Sequence, residues 1–145
     1  MTSKIKVLID TNVVLDVLAK REPHFPAARA IWAYVEEGEI EGVLAAHSIT
    51  TIAYLLTKAV PRLRVQNVLT KLLQVFSVAP IDRTVILNAL SLNWRDFEDA
   101  VQMSTAESVS ADYLVTRNTK DFVSSATISV LPPDELLVIL SATND

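Results

Sequence analysis

The run Ile5-Lys6-Val7-Leu8-Ile9-Asp10-Thr11-Asn12-Val13 decides how the rest of the chain is read. Its apolar residues occupy both alternating and consecutive positions, which predicts a central strand buried on both faces, as in a parallel sheet. The run stops at an acid, Asp10, passes through the turn or cap formers Thr11 and Asn12, and gives way to a short helical stretch over Val13–Leu18. Open α/β sheets gather their ligands at the carboxyl end of such a strand. Asp10 also suits a plain helix N-cap. The two readings part only when the rest of the chain is considered.

Outward from this strand, apolar residues at helical spacing predict a helix over Ala27–Glu37, with Gly38 as a C-cap. A second strand is expected over Glu41–Ala46, then a helix capped by Ser48 or Thr50 that reaches about Lys58. Pro61 opens the next helix, to about Gln74. Val75–Val78 is a third strand, and Asp82 caps a helix containing Val85, Ile86, Ala89 and Leu90. Asn93–Phe97 leads into a helix over about Asp96–Val109. Asp112–Val115 and Ile128–Val130 complete the strands, separated by a polar Thr116–Asp121 loop, and Pro133 begins a terminal helix. Short strands alternating with longer helices predict an α/β domain with a mostly parallel sheet. Residues 1–145 show no repeat, linker or second domain.

Composition narrows the chemistry. The chain has 145 residues, half of them hydrophobic and 21% charged, with two Gly and six Pro, so it is neither disordered nor of low complexity. It contains no Cys and two isolated His, which excludes thiolate chemistry, Cys-bound zinc and iron–sulfur clusters. Any bound metal must therefore be held by oxygen. Two glycines leave no phosphate-cradling loop, which argues against nucleotide triphosphate hydrolysis. No stretch reads as a secretion signal or a membrane span, so a cytoplasmic location is expected.

Three polar groups, two at strand ends and one at a helix start, punctuate the chain in order. Asp10 ends the first; Asp96 and Asp99, three apart at a helix start, share one face; Thr116, Asn118 and Asp121 follow the fourth strand. Taken singly, the carboxylates at the helix start serve equally well to stabilise its positive end. If the three groups converge, they suit a hard divalent cation such as Mg²⁺, which takes oxygen ligands and keeps several waters. A cation so held neutralises charge on a phosphodiester and orients an attacking water.

With these motifs in sequence, the chain resembles the PIN-domain ribonuclease family, in particular small prokaryotic VapC-like toxins. Leu8-Ile9-Asp10-Thr11-Asn12-Val13 looks like the family's opening motif, Asp96-Phe97-Glu98-Asp99-Ala100 like its central acidic motif, and the segment Ala111–Phe122 like its closing strand and loop. The likeness runs from Lys4 to about Leu137. It implies a three-layer α/β/α fold and an endoribonuclease dependent on Mg²⁺ or Mn²⁺. The implied catalytic residues are Asp10, Asp96, Asp99 and Asp121, with Asn118 joining them as a metal ligand. Thr11, Asn12, Thr51, Thr116, Arg117 and Lys120 stand around these positions as candidate substrate contacts. The implied partners are RNA, a second copy of the chain and a small antitoxin protein.

One departure stands out. The family usually has a Glu near the start of the helix after the second strand, where Thr51 is the best match here. No Asp or Glu occurs from Gly42 through Ile81, so no small shift in alignment recovers the acid. A neutral hydroxyl is not a charged metal ligand, and metal affinity should fall accordingly. Glu36 and Glu37 are the nearest acids before the gap. The alternative reading is therefore a catalytically weak or inactive RNA-binding or regulatory module of the same fold; a further one is an interaction protein whose acids merely cap helices. The acid-free interval carries Lys58, Arg62, Arg64 and Lys71, which fit either a phosphate-binding face or an ordinary solvated one. Trp32, Tyr34, Met103, His24 and His47 read as structural, and Trp94 as a support for its loop.

Overall fold

The computed structural model describes residues 4–122 and 128–143. The opening run is strand β1 (Ile5–Ile9), with Val7, Leu8 and Ile9 buried. Around it lie β2 (Ile40–Ala45), β3 (Ser77–Ala79), β4 (Tyr113–Val115) and β5 (Ser129–Leu131), in the order β3-β2-β1-β4-β5. All four pairings are parallel, so the sheet is more uniform than expected. From β1 the chain first builds outward through β2 and β3, then returns to add β4 and β5 on the other side. The reversal puts the ligand-binding crevice of an open α/β sheet between the carboxyl ends of β1 and β4. The Asp10 N–H donates to the Val115 carbonyl at 2.9 Å and ties those two ends together.

The helices are α1 (Thr11–Leu18), α2 (Phe25–Glu36), α3 (Ala46–Thr57), α4 (Arg62–Val75), α5 (Arg83–Leu92), α6 (Phe97–Ser108) and α7 (Pro133–Thr143). Strand alternation assigns the layers. Val7 and Ile9 pack with Val13, Ile31, Ile52, Leu72 and Leu136 from α1, α2, α3, α4 and α7, while Leu8 points the other way onto Met103 and Ala106 of α6. Ala89 of α5 packs in turn on Ala100 and Val101 of α6. The expected three-layer α/β/α arrangement is present. Among the described residues no helix is long and apolar enough to cross a membrane.

Most boundaries move by one to three residues. Helix α4 continues through Val75, and Phe76 turns inward at its C-cap, so β3 begins at Ser77. Helix α3 starts at Ala46 with Ala45 at its N-cap and no side-chain cap, in place of the Ser48 or Thr50 cap. Asp82 does cap α5, accepting the Val85 N–H. Gly42 is dictated by packing. A Cβ there would lie 2.8 Å from both the Phe76 ring and the Val35 side chain, so any larger residue would push these two side chains out of place between β2 and its covering layer.

Candidate active site

Asp10 follows β1 at the N-cap position of α1, yet its carboxylate makes no capping hydrogen bond. It is 5% exposed and faces inward along the sheet edge. Its Oδ2 accepts from Thr116 Oγ1 at 3.1 Å, and Gln102 Nε2 approaches Oδ1 at 3.5 Å. Burial pushes its carboxyl from 3.8 up to about 6; the Thr116 bond opposes this, and the charge of Glu98 adds to it.

Asp96 and Asp99 divide their work at the start of α6. Asp96 Oδ1 accepts the Asp99 N–H at 3.1 Å, so Asp96 is the helix cap. Asp99, one turn in, is pushed up to about 7, first by burial and then by the charges of Asp96, Asp10, Glu98 and Asp121. β1, α6 and the turn after β4 thus bring their acids within one electrostatic field. Among the described residues, however, no three His, Asp or Glu side chains close into a ready ligand shell. The donor set, wholly carboxylate with hydroxyl and amide neighbours, fits a hard cation that carries part of its own water shell.

The remaining candidates fall into different places. Thr116 links the site, donating to Asp10 while its Oγ1 accepts the Asn118 N–H at 3.2 Å. Asn118 is exposed at the mouth, and Lys120 and Asp121 belong to a single 3₁₀ turn over Thr119–Asp121. Thr11 is buried, its Oγ1 2.6 Å from Ser48 Oγ, and Asn12 beside it is half-buried. Arg117 is turned away from the acids: its Nε and guanidinium nitrogen donate to the two oxygens of Asp16 at 2.8 and 3.1 Å. Thr51 is exposed and its hydroxyl donates to the His47 carbonyl one turn earlier, at 3.2 Å. Glu36 pairs with Arg29.

Four residues that the sequence did not mark as site candidates stand in or beside the site. Ser48, fully buried, takes the inward position at the start of α3 and also meets Gln102 Nε2 at 3.3 Å. Its spacing from buried Ile52, four residues on, was the available signal. Gln102 is fully buried, and among the described residues its Oε1 has no partner. Glu98, exposed in the first turn of α6, raises both Asp10 and Asp99 and lies 3.7 Å from His47 Nε2. Asp16 is a buried acid between the apolar residues Leu15 and Val17 of α1, which is itself a signal that a cation must be brought to it.

The PIN-domain family model matches residues 6–120, a span that includes Asp10, Asp96, Asp99 and Asn118. The chain belongs to the PIN-domain family. Comparison with curated protein sequences gives no match. Among solved structures, it is similar to a toxin–antitoxin complex from Klebsiella pneumoniae, at 21% identity and TM-score 0.65, covering 84% of this chain and 94% of the other. VapBC-1 from nontypeable Haemophilus influenzae aligns at 14% identity and TM-score 0.69, over 90% and 99% of the two chains. Mycobacterium tuberculosis VapC20, a toxin that cleaves the Sarcin-Ricin loop, aligns at 13% identity and TM-score 0.60, over 74% and 86%. At these identities the likeness establishes the PIN fold.

Proposed function

We propose that this PIN-domain protein is a divalent-metal-dependent endoribonuclease that hydrolyses RNA phosphodiester bonds as the toxin of a toxin–antitoxin pair. One observation carries the reading: Asp10, buried, and Asp99, half-buried, are delivered by different elements to the crevice between β1 and β4, where burial and neighbouring negative charge lift their carboxyls to about 6 and 7. A fold that keeps acids so poorly compensated has set them against an external positive charge. Asp10 and Asp99 would hold Mg²⁺ or Mn²⁺, with Asp96, Asn118 and Asp121 around it. Such a cation supplies charge neutralisation at the phosphate and acidifies water.

The chain's own groups prepare that arrangement. Thr116 and Gln102 fix the direction of the Asp10 carboxylate, and the Thr11–Ser48 contact locks the start of α3 beside it. Asp96 fixes the first turn of α6, and with it the place of Asp99. Similarity to a toxin that cleaves the Sarcin-Ricin loop, and to toxin–antitoxin complexes, supports an RNA substrate and an antitoxin partner. Exposed apolar side chains on α3, α4 and α5, among them Tyr54, Leu63 and Leu90, support association with a second copy or that partner. A cytoplasmic site of action fits this reading. The second reading, a weakly active or inactive RNA-binding or regulatory module, is favoured by Thr51, whose hydroxyl serves its own helix where the family has an acid.

Incubation with structured and single-stranded RNAs in Mg²⁺, Mn²⁺ or EDTA separates the two. Metal-dependent cleavage should fall by about 10³-fold or more in Asp10→Asn and Asp99→Asn, with folding and RNA binding retained. No cleavage across the panel, with no measurable metal binding, overturns the nuclease reading. RNA binding under those same conditions establishes the regulatory one.

A further inference from the structure

Between α5 and α6 the chain turns through Asn93, left-handed at φ 56°, and then Trp94, Arg95 and Asp96. This turn and the Lys120–Asp121 segment line an open groove of about 940 Å³ that runs into the acidic site, since Asp96 and Asp121 belong to both. That volume is in the range of pockets that seat small organic groups. The two aromatic rings of the groove differ. Trp94 is half-buried and packs edge-on against Phe122, with ring centroids 5.8 Å apart, so it braces the wall. Phe97 opens α6 yet stays 45% exposed, while the helix anchors itself through Ala100, Val101 and Met103.

Two cations line the groove with Phe97. Among the described residues, neither Arg95 nor Lys120 makes an ion pair, although each lines the groove beside a carboxylate. Elsewhere the arginines near the crevice are paired, as Arg21 and Arg117 are with Asp16. An exposed aromatic side chain and two cations free of ion pairs, lining one groove that opens onto an acidic centre, have the chemistry of a seat for one unpaired nucleotide.

We propose that the α5–α6 turn is the substrate-seating arm of this site: Phe97 stacks on the base of a nucleotide beside the scissile phosphate, and Arg95 and Lys120 hold its flanking phosphates. The proposal rests on the nuclease reading for its substrate, and adds residues that reading does not require. Arg95 supplies a planar fork for phosphate oxygens and Lys120 a mobile point charge. Stacking on an aromatic face tolerates any base, so Phe97 governs affinity for unpaired RNA more than sequence choice.

The test uses a short, fluorescein-labelled single-stranded RNA of mixed sequence, with binding measured in the Asp10→Asn background and cleavage in the otherwise native chain. Phe97→Ala should weaken binding by about tenfold and raise KM with kcat nearly unchanged. Phe97→Trp should restore most of the affinity, and Phe97→Leu, apolar but without a π face, should not. Replacing Arg95 and Lys120 together by Ala should flatten the dependence of log K on log salt by about 1.4, at roughly 0.7 per phosphate on a single strand, whereas Phe97→Ala leaves the slope alone. Native-like binding by a folded Phe97→Ala protein, or equal rescue by Leu and Trp, overturns the proposal. RNA bound through Phe97 but never cut upholds the seat and overturns the nuclease reading; no RNA bound by the native chain overturns both.

Discussion

Two buried aspartates six residues apart, Asp10 and Asp16, receive opposite treatment. Asp16 is 1% exposed and meets the fork of Arg117 at 2.8 and 3.1 Å, with the Arg21 Nε a further 3.1 Å contact. Asp10, 5% exposed, has one hydroxyl bond, a long amide contact and lesser help from the Thr11 backbone and the Arg117 charge, and burial still lifts its carboxyl to about 6. The chain therefore commits the direct contacts of both arginines to the neighbour, and Asp10 feels only the more distant charge of Arg117. Asp16 buttresses; Asp10 is kept in want of a cation. The two are mechanically joined, because Arg117 follows Thr116, the residue that holds Asp10.

Removing the buttress should give the largest change in stability. Asp16→Ala leaves the Arg117 guanidinium part-buried without its counter-charge, a loss of about 3–5 kcal/mol for breaking one side of a buried pair. Urea denaturation should show the midpoint fall accordingly, with activity lost as the fold is lost. A change below about 1 kcal/mol would mean that solvent already screens the pair, as at a surface ion pair, and would erase the contrast with Asp10.

The legibility of these two acids in the sequence differed for a physical reason. Asp10 was readable because it interrupts a strand-forming run, and strand ends are where an α/β sheet collects its ligands. Asp96 and Asp99 were readable from their spacing, and the sheet from the alternation of short strands with helices. Asp16 pairs with Arg117 across a separation of 101 residues, which only the return of the chain to form β4 brings together. Gln102 and Ser48 were hidden for a similar reason: buried on helices, they become polar neighbours of Asp10 only once α3 and α6 flank β1. Helix α3 starts earlier than a Ser48 or Thr50 cap implies, because tertiary packing turns Ser48 inward. The Arg117 fork and the Thr51 hydroxyl likewise have partners that sequence spacing alone does not choose among.

The state of Asp10 can be probed by pH. Its carboxyl binds a proton more tightly in the folded protein, at about 6, than its unfolded value of 3.8. The associated stability is fully present below about pH 4 and is lost as pH rises through 6, a decline on the order of 3 kcal/mol. Asp99, raised to about 7, acts in the same direction with its contribution reduced by solvent screening. In EDTA, denaturation midpoints at constant ionic strength should thus fall between pH 4 and pH 7.5. Asp10→Asn should flatten much of that fall, and Mg²⁺ at pH 7.5 should recover stability in the native chain more than in the variant. A profile that is level in the native chain would show Asp10 to be as well compensated as Asp16.

The smallest effects belong to the start of α3, where a buried hydroxyl and an exposed one stand three residues apart. Ser48→Ala leaves Thr11 Oγ1 and Gln102 Nε2 short of a partner in the interior and should cost about 1–2 kcal/mol. Thr51→Ala removes only a bond from an exposed hydroxyl to its own helix, and Ala is the better helix former. Its effect on stability should stay within about 0.5 kcal/mol, with metal-dependent cleavage unchanged. If Thr51→Ala instead weakened Mn²⁺ binding while leaving the denaturation midpoint in place, Thr51 would have to turn into the site when the cation is present. The asymmetry between the two hydroxyls would then be one of state, and the family's acidic position would still be at work with a neutral oxygen.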